Sequence, residues 1–371
     1  MTKIKSIPSC DIMMIAGTRP EVIKLSELEK KINFCESVYV YTGQHFSKNM
    51  KDIFFDGLGS KADIDLACNT SDVEVIRKKL VKLILKLKPL IILVYGDTNS
   101  TLAGALAGRD TKTKVVHIEA GLRSFDLRMP EEQNRIKVDH ISDYLLCPTS
   151  LSREFLRFEG IKKHVYVTGN LIVDVSKKFS KINLHEDHNL DKESILLTLH
   201  RAENVDDKKS LKILVEKLSE LSMYKIIFPI HPRTRKNLKT NNIKIPKNVT
   251  IIDPLGYIEF LSLLKQVKLV LTDSGGIQEE AIILNKPCVT LRYTTERWET
   301  VLIGGNRLYP LLQNTQSLVS VVEEMIGGKI KNQPYGEFVT RKTVNVIKKI
   351  FLDCKKTKLN NIIRLEVINQ R

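Results

Sequence analysis

The 371-residue sequence has few aromatic residues and no apolar run long enough to cross a membrane. Aromatic residues make up 6% of the chain. Lysines and a proline interrupt the longest apolar stretch, LVKLILKLKPLIILVYG, before it reaches the length that a bilayer requires. Near the start, Asp11 and Arg19 interrupt a short apolar patch, and no small-residue cleavage site follows. We therefore expect neither a membrane protein nor a signal peptide.

Paired cysteines and two common nucleotide-binding motifs are also missing. The six cysteines include no CxxC pair, which argues against a disulfide framework and against a zinc site. No GxGxxG follows a predicted strand, and the P-loop pattern GxxxxGK with a following Ser or Thr does not occur. We expect a cytoplasmic protein that uses no metal ion, no NAD and no P-loop.

The net charge of +16 comes from lysines that are spread along most segments. Nucleic-acid-binding proteins usually concentrate positive charge on one face and interleave it with aromatic side chains. We therefore expect no nucleic-acid partner. Most of these lysines are interpreted as solvated surface, although the excess positive charge can steer a phosphorylated substrate.

Short apolar, partly β-branched runs alternate with amphipathic helices along the chain. The first such run, DIMMIAG, leads into the helical pattern EVIKLSELEKKI, and Pro20 stands in the first turn, where a helix tolerates proline. Alternation of this kind predicts parallel strands that are joined by crossover helices. The predicted class is α/β, with doubly wound, Rossmann-like sheets.

The alternation restarts after a polar interval, SKKFSKINLHEDHNLDKES, which suggests a domain boundary. We expect a first domain at 1–172, a second at 173–355 and a C-terminal tail at 356–371. The last helix of the second domain could pack back onto the first domain. The two domains are expected to face each other across a cleft, with ligands bound at the carboxyl ends of the strands.

Polar residues follow most of the predicted strands. Ser274, Gly275 and Gly276 stand between a buried strand and a helix, where free backbone amides and the helix dipole can hold an anion. An ordinary serine-capped helix is the alternative. The loop GTRPEVIK brings Arg19 and Lys24 to a helix start, where each is either a phosphate ligand or a surface cation.

Acidic residues follow strands in the first half. Asp97, Glu119 and Glu131 lie at or just past strand ends, where carboxylates can act as general acid and base. Alternatively, Glu131 and Arg135, four residues apart on one helix, make a surface ion pair. His200 ends a strand in the second half and is a candidate for contact with a diphosphate, although a lone histidine is more often structural.

Taken as an ordered set, these loops resemble the non-hydrolysing UDP-N-acetylglucosamine 2-epimerase family. The motifs that carry the resemblance are GTRPEVIK, GDTNSTLAGALA, HIEAGLRSFDLRMPEEQNR, LTLHRAENVD, IHPRT, DSGGIQEEA and TTER. The resemblance implies a GT-B fold, a UDP-N-acetylhexosamine substrate in the cleft, UDP-N-acetylmannosamine as a product, a homodimer and no cofactor.

The resemblance also implies roles for individual residues. It assigns the catalytic carboxylates to Asp97, Glu119 and Glu131. It places His200 at the departing diphosphate and Glu296 at the ribose. The full set that it assigns to the UDP-sugar is Arg19, Lys24, Arg135, His200, Ser274, Gly275, Gly276 and Glu296. Residues that match the family's allosteric activator site are Gln44, Arg201 and His231. We expect Arg123, Arg128 and Arg135 to keep neighbouring carboxylates ionised or to fix their positions.

The implied reaction eliminates UDP from the sugar to give a glycal and then adds UDP back. Carbon 2 has no adjacent carbonyl, so direct removal of its proton would leave an unstabilised carbanion. The alternatives are an epimerase of a related UDP-hexosamine, a hydrolysing epimerase that releases UDP and the free sugar, and a glycosyltransferase of the same fold.

Overall fold

The computed structural model describes residues 10–44, 61–182, 193–313 and 315–369, the last nine of them as backbone only. The chain divides into two compact units. The first unit is formed by residues 1–174 together with 335–371, and the second by residues 175–334. Each unit is built on one parallel sheet, which confirms the predicted doubly wound α/β architecture.

The first unit contains a seven-stranded sheet in the order β3-β2-β1-β4-β5-β6-β7. Its strands are β1 (Ile12–Ala16), β2 (Ser37–Tyr41), β3 (Ile64–Asp65), β4 (Ile91–Tyr95), β5 (Lys114–Ile118), β6 (Tyr144–Cys147) and β7 (Val165–Val167). All pairs are parallel, and the central strands β1 and β4 are buried along their whole length. Burial on both faces explains why these strands read as continuous apolar runs.

Helices connect these strands, and three of them begin at a residue whose side chain caps the first turn. They are α1 (Arg19–Glu29), α2 (Val73–Leu87), α3 (Asn99–Asp110), α4 (Pro130–Ile141), α5 (Ser150–Phe158) and α6 (Ile172–Phe179). The Asp72 carboxylate caps α2 by accepting hydrogen bonds from the amides of Glu74 and Val75. Pro20 and Pro130 occupy first turns, as the sequence predicts for Pro20.

The second unit contains a six-stranded parallel sheet in the order β10-β9-β8-β11-β12-β13. Its strands are β8 (Ile195–Thr198), β9 (Ile226–Pro229), β10 (Val249–Ile252), β11 (Leu269–Thr272), β12 (Cys288–Thr290) and β13 (Asn306–Leu308). Its helices are α7 (Ala202–Val205), α8 (Lys208–Glu220), α9 (Pro232–Thr240), α10 (Tyr257–Gln266), α11 (Gly275–Ile283), α12 (Trp298–Leu302) and α13 (Leu318–Gly327).

The last helix, α14 (Val339–Asn369), belongs to the first unit. It runs through most of the residues expected as a tail. The chain returns to this unit at Tyr335, whose carbonyl accepts a hydrogen bond from the Asn170 amide. The amide of Thr340, at the start of α14, donates to the Asp174 carboxylate over 2.7 Å. These contacts join the end of the chain to the loop that follows β7 and to the start of α6.

No helix among the described residues is both long enough and apolar enough to span a bilayer. The six cysteines are free thiols, and burial raises the pKa of Cys10 and of Cys288 to about 12.

Replacement of Gly169 by Ala tests the attachment of the returning segment. Gly169 has φ +100°, and an added Cβ would lie 2.4 Å from the Tyr335 carbonyl oxygen. We expect Gly169→Ala to lower the free energy of unfolding by about 3 kcal/mol, from strain and overpacking together. Gly160→Ala is the control, since it has φ +83° and its Cβ would meet no described atom within 4 Å. For Gly160→Ala, urea unfolding should show a loss of about 1 kcal/mol in the free energy of unfolding, from backbone strain alone. Equal losses in the two variants would contradict the packing argument.

Candidate active site

The candidate residues of the first unit follow the carboxyl ends of neighbouring strands. Arg19 begins α1 after β1, Gln44 follows β2, Asp97 follows β4, and Glu119 follows β5 directly. Because β2, β1, β4 and β5 are adjacent in the sheet, these residues lie along one edge of it. That edge is where parallel α/β sheets bind their ligands.

Glu119 is buried and receives two hydrogen bonds on one carboxylate oxygen. The Lys24 ammonium donates to Oε2 over 2.6 Å, and the Tyr95 hydroxyl donates to the same oxygen over 2.6 Å. The Lys24 and Glu119 side chains are only 7% and 5% exposed, so Lys24 is not a surface cation. Two donors, one of them charged, stabilise the ionised form of the carboxylate.

The Glu119 backbone has a left-handed conformation, with φ +73°. This is costly for a residue with a side chain, and the surroundings enforce it. The amides of Glu119 and Ala120 both donate to the Leu146 carbonyl on β6, each over 3.0 Å. Gly121 follows with φ +79°, and a Cβ there would lie 2.3 Å from the Ser152 carbonyl oxygen. The strand end is therefore held in a turn that fixes where the carboxylate points.

Asp97 belongs to a chain of charges that ends on α4. Its carboxylate pairs with the Arg135 guanidinium, which also pairs with Glu132. Glu132 is 1% exposed and accepts hydrogen bonds from the Ser124 amide, the Ser124 hydroxyl and the Phe125 amide. Arg135 therefore bridges the partly exposed candidate carboxylate of Asp97 and the buried carboxylate of Glu132.

Glu131 lies next to Glu132 in the sequence but on the exposed side of the first turn of α4. The sequence left open a surface ion pair between Glu131 and Arg135. In the structure Arg135 is buried and pairs with Glu132 and Asp97. Adjacent residues of a helix point in different directions, which explains why one of two consecutive glutamates is buried and the other is accessible.

The arginines of this segment do not all serve the candidate carboxylates. Arg135 contacts Asp97, as expected. Arg128, whose side chain is 84% exposed, pairs with Asp126. Arg123 is buried and pairs with Asp139 and Glu159. Each of the three arginines therefore pairs with a neighbouring carboxylate, as expected, and Asp97 is the candidate carboxylate among these partners.

A fully buried network supports both candidate loops from behind. His117 and Asp139 have no exposed side-chain surface, and their side chains are 2.7 Å apart. The other ring nitrogen of His117 donates to the Gly96 carbonyl over 2.8 Å, and Asp139 accepts from the Gly121 amide over 3.1 Å. The network thus fixes the residue before Asp97 and the turn after Glu119.

Electrostatics keep Asp139 ionised. Burial raises its pKa, but the charges and hydrogen bonds of His117 and Arg123 outweigh burial and bring the pKa below its usual value.

Glu21 is a second buried carboxylate that the sequence analysis missed. It accepts from the amides of Gly17 and Thr18 and from the hydroxyls of Thr18, Thr98 and Thr101, all within 2.9 Å. Burial raises its pKa against these donors. Because Thr98 and Thr101 belong to the loop after β4 and to α3, Glu21 ties the Arg19 loop to the Asp97 loop.

In the second unit, the candidate residues are organised around the buried carboxylate of Asp273. It accepts from the amides of His200 and Arg201 and from the Asn204 side chain, and its Oδ1 lies 3.2 Å from Nδ1 of His200. Burial raises its pKa, but the hydrogen bond and charge of His200 and the amide of Arg201 bring it below the usual value. An ionised Asp273 therefore fixes the loop after β8.

The three candidates for an activator site do not fall in one unit. Gln44 lies in the first unit, where its side-chain oxygen accepts from the amide and hydroxyl of Ser100. His231 and Arg201 lie in the second, and the His231 ring is 5.9 Å from that of His200. Burial, followed by the charges of His200 and Arg233, lowers the pKa of His231.

Ser274, Gly275 and Gly276 form the start of α11, with Ser274 as its N-cap residue. A Cβ on Gly275 would lie 2.1 Å from Oε1 of Glu296, so the absence of a side chain is what allows Glu296 to approach. Arg292 holds the other oxygen of Glu296 over 3.0 Å, and both side chains are buried. This edge combines partly exposed backbone, a helix N-terminus and a fixed carboxylate, which suit an anion and a hydroxyl-bearing group.

The residues that sequence reasoning missed are Glu21, Tyr95, His117, Glu132, Asp139 and Asp273. Two of them carried a usable signal, because Asp273 directly precedes the Ser274 motif and Glu132 directly follows Glu131. Glu21 had a local signal as well, since it forms a capping box with Thr18 at the start of α1, whereas the contacts of Tyr95, His117 and Asp139 are distant in sequence. Within the described ranges no group of three or more His, Cys, Asp or Glu side chains is arranged to hold a metal ion.

Comparison with known proteins gives a consistent family. The model of the UDP-N-acetylglucosamine 2-epimerase family matches residues 26–349. A UDP-N-acetylglucosamine 2-epimerase of Methanocaldococcus jannaschii is 45% identical over 350 residues, which covers 88% of this chain and 95% of that protein. A UDP-2,3-diacetamido-2,3-dideoxy-D-glucuronate 2-epimerase of Pseudomonas aeruginosa is 43% identical, over 80% of this chain and 87% of that protein.

The fold agrees with these relatives. The crystal structure of the Methanocaldococcus jannaschii enzyme in complex with UDP-GlcNAc and UDP matches with a TM-score of 0.82 and 42% identity, and the match covers 91% of this chain and 99% of that one. The likeness confirms the predicted GT-B fold class.

Replacement of Asp139 by Asn tests the buried network. The replacement removes the buried negative charge that pairs with both Arg123 and His117, so we expect the free energy of unfolding at pH 7 to fall by about 3–5 kcal/mol. Because the pKa of Asp139 is lowered in the folded protein, its contribution is complete above the unfolded pKa of about 4 and is lost as the pH falls further. The difference between wild type and Asp139→Asn should therefore shrink below about pH 4.

Asp110→Asn is the matched control, since Asp110 pairs with Arg77 and both side chains are more than a quarter exposed. It should cost less than about 1 kcal/mol. Urea titrations at several pH values measure both variants, and an Asp139→Asn loss as small as that of the control would contradict the role assigned to the network.

Proposed function

The chain belongs to the UDP-N-acetylglucosamine 2-epimerase family, and we propose that it interconverts UDP-N-acetylglucosamine and UDP-N-acetylmannosamine without releasing the free sugar. The observation that carries the proposal is the Glu119 carboxylate, which is buried at a strand end and held by Lys24 and Tyr95. An ionised, oriented carboxylate in such a place is suited to remove a proton from carbon.

The chemistry requires a leaving group at carbon 1. A base removes the proton from carbon 2, the C–H electron pair forms the double bond between carbons 1 and 2, and the bond from carbon 1 to the phosphate oxygen breaks. UDP leaves with that electron pair. A proton is then delivered to the opposite face of carbon 2, and a diphosphate oxygen of UDP attacks carbon 1. Atoms and charge balance without a redox partner.

Inversion at carbon 2 requires proton transfer on two faces of the sugar, so more than one group is needed. We assign the proton transfers to Glu119, Asp97 and Glu131. The surroundings of these carboxylates differ: Glu119 is buried between two donors, Asp97 is paired with Arg135, and Glu131 is exposed. Such differences are what allow carboxylates to take different protonation states at one pH.

The second unit is assigned to the nucleotide. His200, with its side chain 45% exposed and its backbone fixed by Asp273, is assigned to the charge that develops on the departing diphosphate. The start of α11, Ser274 to Gly276, is assigned to the phosphates, and Glu296 to the ribose hydroxyls. Arg19 and Lys24 of the first unit complete the proposed binding set, although Lys24 is assigned here mainly to Glu119.

A related UDP-hexosamine is the second candidate substrate. The Pseudomonas aeruginosa relative that acts on a diacetamido sugar is almost as similar in sequence as the Methanocaldococcus jannaschii one. The same elimination can operate on either sugar, because the reacting atoms are the same. The homodimer, the cytoplasmic location and the activator site at Gln44, Arg201 and His231 stay predictions.

Reaction in deuterated water tests the proposed chemistry. With UDP-N-acetylglucosamine as substrate, we expect deuterium at carbon 2 in two epimeric UDP-sugars, and substrate labelled in the bridging oxygen should scramble that label. Free N-acetylmannosamine with UDP as the main products would instead assign a hydrolysing enzyme. A parallel reaction with UDP-2,3-diacetamido-2,3-dideoxy-D-glucuronate distinguishes the two candidate substrates. Deuterium exchange with that UDP-sugar and not with UDP-N-acetylglucosamine would identify it as the substrate.

Variants of Glu119 and His200 test the assignment of roles. Glu119→Gln should reduce turnover by about 10²–10⁴-fold, because it removes the group that transfers the proton. His200→Ala should slow the elimination through weaker stabilisation of the diphosphate. The matched controls are Glu74→Gln and His140→Ala, whose side chains are 58% and 47% exposed. Both should keep wild-type turnover, and equal effects in a variant and its control would refute the roles.

A further inference from the structure

The Tyr95 hydroxyl is a buried polar group that contacts the Glu119 carboxylate but takes no part in the proposed proton transfers. Tyr95 ends β4 and is 2% exposed. It pairs in register with Ile118 on β5, the residue immediately before Glu119. The geometry points to Tyr95 as a positioning residue that, from the neighbouring strand, sets the orientation and the basicity of the Glu119 carboxylate. This inference rests on the proposed function.

The direction of the hydrogen bond is fixed by chemistry. A carboxylate can only accept, and a phenol keeps its proton at neutral pH, so Tyr95 donates to Oε2 of Glu119. Its 2.6 Å length is in the range of charge-assisted O–H bonds. The bond therefore stabilises the carboxylate specifically in its charged form.

Tyr95 and Lys24 contribute differently to the position of Glu119. Lys24 reaches Oε2 from α1 on a flexible four-carbon stem. The Tyr95 ring has two side-chain torsions and stands on a strand that is hydrogen-bonded to β5, so it moves with the strand that carries Glu119. The Lys24 ammonium also lies 5.3 Å from the centre of the Tyr95 ring. The tyrosine thus contacts both members of the ion pair.

The charged surroundings of Glu119 define what loss of the hydroxyl should do. From α1 it faces Lys24, from β4 it faces Tyr95, and Gly96 approaches its Oε1. The next charged group on that loop is Asp97, which is paired with Arg135 of α4. Without the phenol, one donor to Oε2 is lost while the Lys24 ammonium stays, so Glu119 should hold its proton at a higher pH.

Replacement of Tyr95 by Phe removes the hydroxyl and leaves the ring. We expect kcat to fall about tenfold, with KM changed less than about twofold, because the hydrogen bond acts on the base rather than on substrate binding. The acid limb of the kcat profile should move to higher pH by about one unit. A role confined to packing would leave that limb in place.

Tyr39→Phe is the matched control. Tyr39 is 1% exposed on β2 of the same sheet, and its hydroxyl has no hydrogen-bond partner among the described residues. Its loss should leave kcat, KM and the pH profile unchanged, so any difference between the two variants comes from the contact with Glu119.

A double-mutant cycle on thermal unfolding measures the same contact without turnover. Tyr95→Phe should lower Tm by about 2 °C in the wild-type background and less in the Glu119→Gln background. Additive Tm shifts would overturn the inference. So would a wild-type pH profile of kcat for Tyr95→Phe, provided that the wild-type enzyme exchanges deuterium at carbon 2. In either case the proposed function itself would stand. Absence of exchange in the wild-type protein would refute the proposed function and, with it, the effect of Tyr95 on turnover.

Discussion

A carboxylate that is removed from water must be surrounded by hydrogen-bond partners, and this requirement shapes both units. Glu21 and Asp273 illustrate it most directly. Glu21 collects amides and hydroxyls from two strand-end loops, and Asp273 collects the amides of His200 and Arg201. Loops that would otherwise be independent are thereby fixed to one another at the carboxyl edge of each sheet. The hydrogen bonds of these buried carboxylates therefore fix the loops that carry the candidate residues.

The sequence predicted the parts of this arrangement that depend on local pattern. Alternating apolar runs gave the parallel strands, and the rule that ligands bind at strand ends selected Asp97 and Glu119. It could not predict that Tyr95 reaches Glu119, because strand residues buried on both faces show no period that marks one side chain as different. Burial on a helix is similarly decided by tertiary contacts, as the contrast between Glu131 and Glu132 shows.

Proximity in sequence was also an incomplete guide to which charges pair. Arg123, Arg128 and Arg135 all stand near candidate acids, yet Arg128 pairs at the surface with Asp126 and Arg123 pairs in the core with Asp139. Because an arginine side chain is long, several carboxylates lie within its reach. The tertiary structure decides which of them it pairs with. Asp139 lies 16 residues beyond Arg123, on a helix whose direction only the packed sheet determines.

The two units use buried charge in different ways, which bears on how each responds to pH. In the second unit the lowered pKa of Asp273 keeps this carboxylate ionised, with its hydrogen bonds to the loop of His200, to a lower pH than an exposed aspartate. In the first unit Glu119 combines a left-handed backbone with an ion pair to Lys24. If Glu119 gains a proton, the pairing is lost while the strained backbone remains. The proton transfer assigned to Glu119 therefore requires a partner that tolerates both states. A neutral phenol does so, because its oxygen donates to the carboxylate and can accept from the carboxylic acid.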